Sequence, residues 1–578
     1  MIRLRKLYTF PEVTRTITFK DGLNFILGEK DNSSNKTNGV GKSMSIEFIN
    51  FCLLRKKEGS RVLKIPRNIL PPSTRICLDI EIHKHKLTLV RTTNTPDQPS
   101  IIRDGKEIEF SNIENATRYL SDLFYSNSSK INLNPSFREL INPLIRDERS
   151  EFKDIVSYFD TKNKIPQDHV PTLYLLDFDM AAYRLAKETI REIDKITILI
   201  RDIKKGLTSN GLKSLTDVRA EVNSLEGELK KLEDELEELK THESFDKFQD
   251  ELINVDIVLD QLRTKQSFLK SSIQKIRSMP KAEKIDEEDV LFVYEQFKEG
   301  LGIQLKKTFD EVNSFKERIE DFQNVILNEK LKKLLAEFKD VNKGLKTFDD
   351  NRSTILRILD KEGVFKNLKQ SLAIYHQKSE ESINTRSELK RYDTNVIEKN
   401  SLLSKKSQLV TKLDLEITKN YDNIHSFNLS ISDIHQYIMG NRGCSFDIVT
   451  KSSETYKDII LFNMTIDYGG SHSIERVKVF IYDLALLINE VTSQKHPNFL
   501  IHDNIFDVDQ DTLLKSLNFL YSLEDSASFQ YILTLSSDKL DNDESSSFLH
   551  FDIHNFSREI FTKSKRFIIG EKYNEKVT

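Results

Sequence analysis

The chain has 578 residues, 38% hydrophobic and 31% charged, a lean apolar supply for a compact globule of that length, so much of it is expected to be exposed. A formal net charge of -4 excludes a global pull toward nucleic acid and leaves any such binding to local patches. No run approaches the roughly 20 apolar residues of a bilayer span, and the three scattered cysteines, Cys52, Cys77 and Cys444, offer no disulfide framework, so the reading is a cytoplasmic protein without a membrane.

Gly22 to Gly28 (GLNFILG) predicts a short buried strand, and Ser43 to Leu54 spaces apolar residues at three and four, as a helix does. Between them lies GEKDNSSNKTNGVGKS, whose end has the form of a phosphate-binding loop. The full pattern G-x-x-x-x-G-K-[ST] asks for glycine where Lys36 stands. Strand, small-residue loop and helix N-terminus together supply unpaired N–H groups and a positive dipole end for phosphate oxygens. Asn38, Gly39, Val40, Gly41, Lys42, Ser43 and Met44 are the expected ATP-binding residues, with Lys42 reaching the terminal phosphates and Ser43 holding Mg²⁺. The plainer alternative is a polar surface loop that caps a helix.

A basic cluster follows at Arg55, Lys56, Lys57, Arg61, Lys64 and Arg67, with a second at Lys563, Lys565 and Arg566. Such clusters could neutralise DNA phosphates, though most are solvated surface. Strands are expected at Cys77 to Ile82 and Lys86 to Arg91, and a turn at Asp104-Gly105.

From Pro171 to Pro497 the chain is interrupted by one proline, Pro280, which favours long helices. Leu215, Val218, Val222, Leu225, Leu229, Leu232, Leu236 and Leu239 step by three and four on a charged background, the seam of a coiled coil. The reading is one helix near 178–242, about 65 residues and on the order of 100 Å long, with 386–432, extended back as far as Phe365, returning antiparallel to it. Pro280, Gly300-Leu301-Gly302 and Gly363 mark bends in a helical tip. With no cysteine between Cys77 and Cys444, a cysteine zinc hook is excluded.

Strands return at 445–450, 458–468, 499–502 and 531–535. Phe499 to Asn504 (FLIHDN) is an apolar run ending in Asp503, placed to hold Mg²⁺ beside Ser43. Upstream, Gly469, Gly470, Ser471 and Ser473 open a helix from Ile474 to Asn489. The expectation is an α/β head split into 1–177 and 433–578 by a helical arm, 178–432.

This layout resembles the SMC-like branch of ABC ATPases, a split head with an inserted antiparallel coiled coil. More narrowly, GVGKS, FLIHDN followed by IFD, and the helix VKVFIYDLALL resemble the SMC-like component of bacterial ABC-three-component systems, including Lamassu-type anti-phage defence. The resemblance implies a homodimer paired through its heads around ATP and Mg²⁺, with Gly469, Gly470, Ser471 and Ser473 acting in trans. It further implies double-stranded DNA, a middle component and an effector nuclease as partners. Two departures stand out. Asn504 occupies the place of the glutamate that orients the attacking water, and Ser536 and Ser537 follow the last strand where a switch histidine is usual. An amide cannot take a proton, so slow hydrolysis is expected, with Asp507 or Asp509 as a recruited base. Alternative readings are a coiled-coil scaffold with a vestigial site and a repair ATPase without an effector.

Overall fold

A computed structural model describes residues 1–31, 37–125, 134–158, 160–161, 168–240, 249–277, 309–359, 364–451, 457–467, 471–524, 529–540 and 548–570. It divides into a head unit, Met1–Asp194 with Asn400–Thr578, and an arm unit, Lys195–Lys399. The helices Met180–Leu207 and Val364–Lys419 each cross that boundary, so the first turns expected to belong to the arm are packed as head.

The N-terminal half of the head contributes β1 (Ile2–Phe10), β2 (Ile17–Thr18), β3 (Gly22–Gly28), β4 (Arg75–Ile82), β5 (His85–Arg91), β6 (Ser100–Arg103), β7 (Lys106–Glu109) and β8 (Ile145–Arg146). The C-terminal half contributes β9 (Cys444–Thr450), β10 (Ile460–Ile466), β11 (Phe499–Asp503), β12 (Gln530–Ser536) and β13 (Ser557–Phe561). One sheet is antiparallel, ordered β2-β1-β4-β5-β6-β7, and draws on the first half alone. Its tight turns are sequence-local: Asp104 and Gly105 both adopt positive φ, 51° and 76°, as a two-residue hairpin requires.

The second sheet, β13-β3-β12-β11-β8, is parallel and interleaves the halves. β3 is buried at every position, which is why GLNFILG is continuously apolar apart from Asn24. β12 is buried at every position too. Gln530 joins the two sheets. Its buried amide accepts from Leu4 N at 2.9 Å and donates to Leu4 O and Lys20 O, each at 2.9 Å. The expectation of a split domain therefore holds at the level of single strands: neither half can complete the parallel sheet alone.

In the arm, Leu215–Lys240 runs antiparallel to the helix Val364–Lys419. Val218 and Val222 are buried against Leu389, while Arg219–Asp393 (2.6 Å), Glu226–Arg386 (3.0 Å) and Glu228–Lys378 pair in reverse order along the seam. A second pair, Gln249–Arg277 with Phe309–Leu359, buries Leu252, Leu259, Val341 and Leu345, and Asp256–Arg352 lies at 2.7 Å. The single helix expected over 178–242 is broken. Ser209, Asn210 and Gly211 take φ of 48°, 60° and 92° in succession, which an α-helix cannot contain. Thr208 accepts from Gly211 N, and Ser214 and Asp217 then cap the restart reciprocally at 3.1 and 2.8 Å. Pro280, Gly300, Gly302 and Gly363 lie outside the described residues, as does Lys36.

Candidate functional site

At the carboxyl end of β3 the chain enters the loop and then the helix Lys42–Cys52, whose N-cap is Gly41 at φ 108°. Gly39 has φ 69°. Both values lie in the left-handed region that favours glycine. Space is a second reason: a Cβ on Gly41 would stand 2.5 Å from Cβ of Phe567, and one on Gly28 would stand 2.6 Å from Nζ of Lys42. The loop is thus packed from behind by residues from the far end of the described chain. Phe567 N donates to Val40 O at 3.0 Å, Lys563 Nζ to Asn38 O at 2.6 Å, and Ile569 N to Val13 O at 2.9 Å.

The helix is held equally firmly at its other end. Arg91, itself buried, donates to Phe51 O (2.6 Å) and Arg55 O (2.8 Å), and Arg138 donates to Leu53 O (2.9 Å) and Asn50 Oδ1 (2.6 Å). Carbonyls left over at a helix C-terminus are thereby satisfied by cations, the sign its dipole favours. Burial lowers Arg91 to about 10 and Arg138 to about 9, which leaves both cationic at neutral pH.

Ser43 Oγ donates to Asp503 Oδ1 at 3.0 Å, joining positions 460 residues apart, and Thr534 Oγ1 donates to the same oxygen at 2.6 Å. Burial pushes the Asp503 carboxyl up to about 7, against the hydrogen bonds from Thr534 and Ser43 that favour its ionised form. Lys42 is buried, and burial lowers its ammonium while Asp538 and Asp503 act the other way. It donates to Ser536 Oγ and Thr37 O, and Thr37 in turn donates to Asp538 at 3.1 Å. Ser536, at the end of β12, therefore contacts the loop lysine from the C-terminal half of the head.

Above this floor opens a cleft of about 620 Å³ lined by Asn38 through Met44, Arg61, Glu148, Asn504, Ser536, Arg566 and Ile568. Two oxygen donors converge at its base, a buried ammonium stands beside them, and backbone too close-set for side chains forms a cradle. The residues present fit a polyphosphate with a divalent cation: the cradle and Lys42 for the phosphates, Ser43 and Asp503 for the metal.

Of the sequence-derived site residues, Asn38 to Met44, Asp503 and Asn504 are brought together. Asp507 is not. Its carboxylate is largely exposed and faces Lys539 at 3.5 Å, outside the cleft lining. Asp509 caps the helix Gln510–Ser522, accepting from Thr512 N at 2.9 Å and Thr512 Oγ1 at 2.7 Å. Neither carboxylate lines the cleft. Ser471 caps the helix His472–Ile488, its hydroxyl 3.1 Å from that of Ser473, and neither lines the cleft. Gly469 and Gly470 lie outside the described residues.

The first basic cluster separates into roles. Arg55 is not free for DNA phosphate, because it is half-buried beside Glu47 (3.3 Å) and Asp147 (3.7 Å). Arg61 lines the cleft, Lys57 pairs with Asp97 at 2.6 Å, and Lys56 and Lys64 are exposed. Sequence reasoning missed Glu148, which accepts from the Asn504 amide across 356 positions.

Among described residues no group of His, Cys, Asp and Glu forms a metal cluster, and no helix is long and apolar enough to cross a membrane. The three cysteines are unbonded.

Residues 434–566 match the family model described as "Uncharacterised protein conserved in bacteria (DUF2326)". The chain is 23% identical over 554 residues to the "Uncharacterized protein YydD" of Bacillus subtilis (strain 168), with 90% of each chain covered. Among solved structures it is similar to the Smc head domain with a coiled coil and joint from Pyrococcus yayanosii (10% identity, TM-score 0.34, 95% of this chain and 94% of that one). It is also similar to a RecF–ATP structure (11% identity, TM-score 0.31, 93% and 92%). The fold itself is read from the sheet order and the inserted helices: an α/β head, split in sequence by an arm of antiparallel helical pairs.

Proposed function

We propose that the protein binds ATP with Mg²⁺ at the Lys42–Ser43 loop, hydrolyses it slowly, and pairs through its heads when ATP is bound. The observation that carries this reading is the Ser43–Asp503 hydrogen bond, which sets a loop from one half of the head against a carboxylate from the other over an open, cationic cleft. A bound divalent cation supplies charge neutralisation for the phosphates. Lys42 would bind the terminal phosphates as a desolvated ammonium, and the Asn38 to Gly41 backbone would orient them. Ser471 and Ser473 at an exposed helix N-terminus are assigned to the partner's nucleotide, consistent with their standing outside their own cleft.

DNA is the proposed ligand of the paired heads, through Lys56, Lys64 and neighbouring cations. A middle component and an effector nuclease are the proposed partners, in a role in anti-phage or anti-plasmid defence. Support for these finer assignments is the family resemblance of the sequence. Asn504 favours one competing reading, a coiled-coil scaffold with a vestigial site.

Titration of the purified chain with a fluorescent ATP analogue and Mg²⁺ tests the nucleotide assignment. Lys42→Ala should abolish binding in a folded protein, and light scattering should show ATP-dependent pairing of wild type alone. Equal affinity in wild type and Lys42→Ala would reject the site.

A further inference from the structure

We propose that Glu148 is the catalytic carboxylate of this site, so that the proton acceptor comes from the N-terminal half of the head and Asn504, from the C-terminal half, holds it in place. The inference rests on the ATPase reading above and deepens it. Among the described residues lining the cleft, Glu148 is the one carboxylate; Asp503 lies beneath the floor, committed to Ser43 and Thr534. Asp507 and Asp509 are committed elsewhere, to Lys539 and to a helix cap.

The turn that carries Glu148 is anchored on both sides. Arg146 is buried and donates to Asp483 at 2.8 Å and to Asp154 O at 3.0 Å. Asp147 accepts from Arg149 N at 3.0 Å, and Arg149 also pairs with the buried Glu47, where Arg55 stands 3.3 Å away. Two carboxylates and two guanidiniums thus neutralise one another below the turn, and Glu148 alone of this run projects into the open. Its partner is fixed as well. Asn504 has φ 58°, its N–H donates to Thr534 Oγ1 at 3.0 Å, and its carbonyl accepts from Arg476 Nη1 at 3.0 Å. Its side-chain amide then donates to a Glu148 oxygen, leaving that carboxylate lone pairs for a water.

Chemically, the water oxygen bonds to the γ-phosphorus while the bond from that phosphorus to the β,γ-bridging oxygen breaks. ADP leaves with the electron pair, and the water's proton passes to Glu148 and from there to solvent. The carboxylate stands across one hydrogen bond from Asn504, so the capacity for proton transfer is kept although position 504 is an amide.

The test uses the full chain with Mg²⁺ and ATP, reading nucleotide affinity and turnover separately. Glu148→Gln should keep affinity within a few-fold and lower turnover by about 10²–10⁴-fold. Adding Asn504→Glu to that variant returns a carboxylate to the same hydrogen bond from the other side, and turnover should recover in part. Wild-type turnover in Glu148→Gln overturns the proposal. So does loss of turnover with no recovery in the double variant, which would make Glu148 a structural residue. A wild-type chain that binds no ATP removes the nucleotide site itself; one that binds ATP without hydrolysing it removes hydrolysis and Glu148's role and leaves the binding site standing.

Discussion

Arg146 on β8 and Asp483 on the helix His472–Ile488 stand 337 positions apart and share two contacts, Nη2 to Oδ1 at 2.8 Å and Nε to Oδ2 at 2.5 Å, with neither side chain exposed. His502 on β11 approaches the same carboxylate at 3.1 Å and holds the Tyr531 hydroxyl at 2.8 Å. Three elements that carry the turn of Glu148, the helix of Ser471 and the strand of Asp503 are therefore tied at one buried point. Removing one partner of such a pair leaves a buried charge uncompensated. Asp483→Ala should destabilise the head by about 3–5 kcal/mol in denaturant titration, whereas Arg146→Met with Asp483→Leu should cost clearly less. Equal losses would show that the pair contributes only packing.

Gly28 and Gly41 should fail differently. An alanine at Gly28 meets the flexible end of Lys42 at 2.6 Å and the Thr37 carbonyl oxygen at 3.0 Å, so nucleotide affinity should fall because the ammonium is displaced, at a stability cost of about 1 kcal/mol. At Gly41 the alanine meets Phe567 and a φ of 108°, so about 1–3 kcal/mol should be lost as well. Calorimetry for stability and analogue titration for affinity separate the two. Matching profiles would mean the loop repacks freely.

If each nucleotide lies between the loop of one head and Ser473 of the other, Lys42→Ala and Ser473→Arg homodimers each have two dead sites. Their heterodimer has one intact site. Random mixing makes half the dimers hetero, so about a quarter of wild-type sites should reappear. A mixture that stays inactive after demonstrated subunit exchange, in turnover and in nucleotide trapping by a single-chain heterodimer, would show that Ser473 does not act in trans.

Burial drives His496 down to about 3, whereas an unfolded histidine titrates near 6.5. Between these values the unfolded chain binds a proton that the folded one refuses, so this residue's contribution is fully present above pH 6.5 and is lost as pH falls. His496→Gln should therefore gain on wild type by about 1.4 kcal/mol per unit between about pH 6 and pH 4. Denaturation midpoints of both proteins at pH 6 and pH 4.5 measure this. A gap that does not move with pH would show that the folded protein admits the proton.

The loop was legible because GVGKS sits between an all-apolar strand and a periodic helix, so both flanks announced themselves locally. Asp503 was legible as the polar end of an apolar strand, and the arm seam as an unbroken heptad step. Glu148 was not, because its meaning depends on Asn504, 356 positions away, and no local pattern records such a contact. The Ser209–Gly211 break was written in the sequence as Ser-Asn-Gly but was masked by apolar periodicity resuming in register at Leu215. β13 was missed for the opposite reason. Ser-Arg-Glu-Ile-Phe is too short and polar to read as a strand, and it becomes one because β3 offers it an edge.

β3 lies between β12 and β13, and Phe567 packs against the loop that follows β3. During synthesis this has a cost in time. At about 5–20 residues per second the ribosome needs roughly 25–100 s to add the ~500 residues separating GLNFILG from its strand neighbours. Through that interval a seven-residue apolar segment with high sheet propensity stands without either partner, while the antiparallel sheet beside it can already close. The nascent chain therefore has to keep this apolar stretch sheltered, and the proposed nucleotide site cannot be complete until translation has passed Phe567.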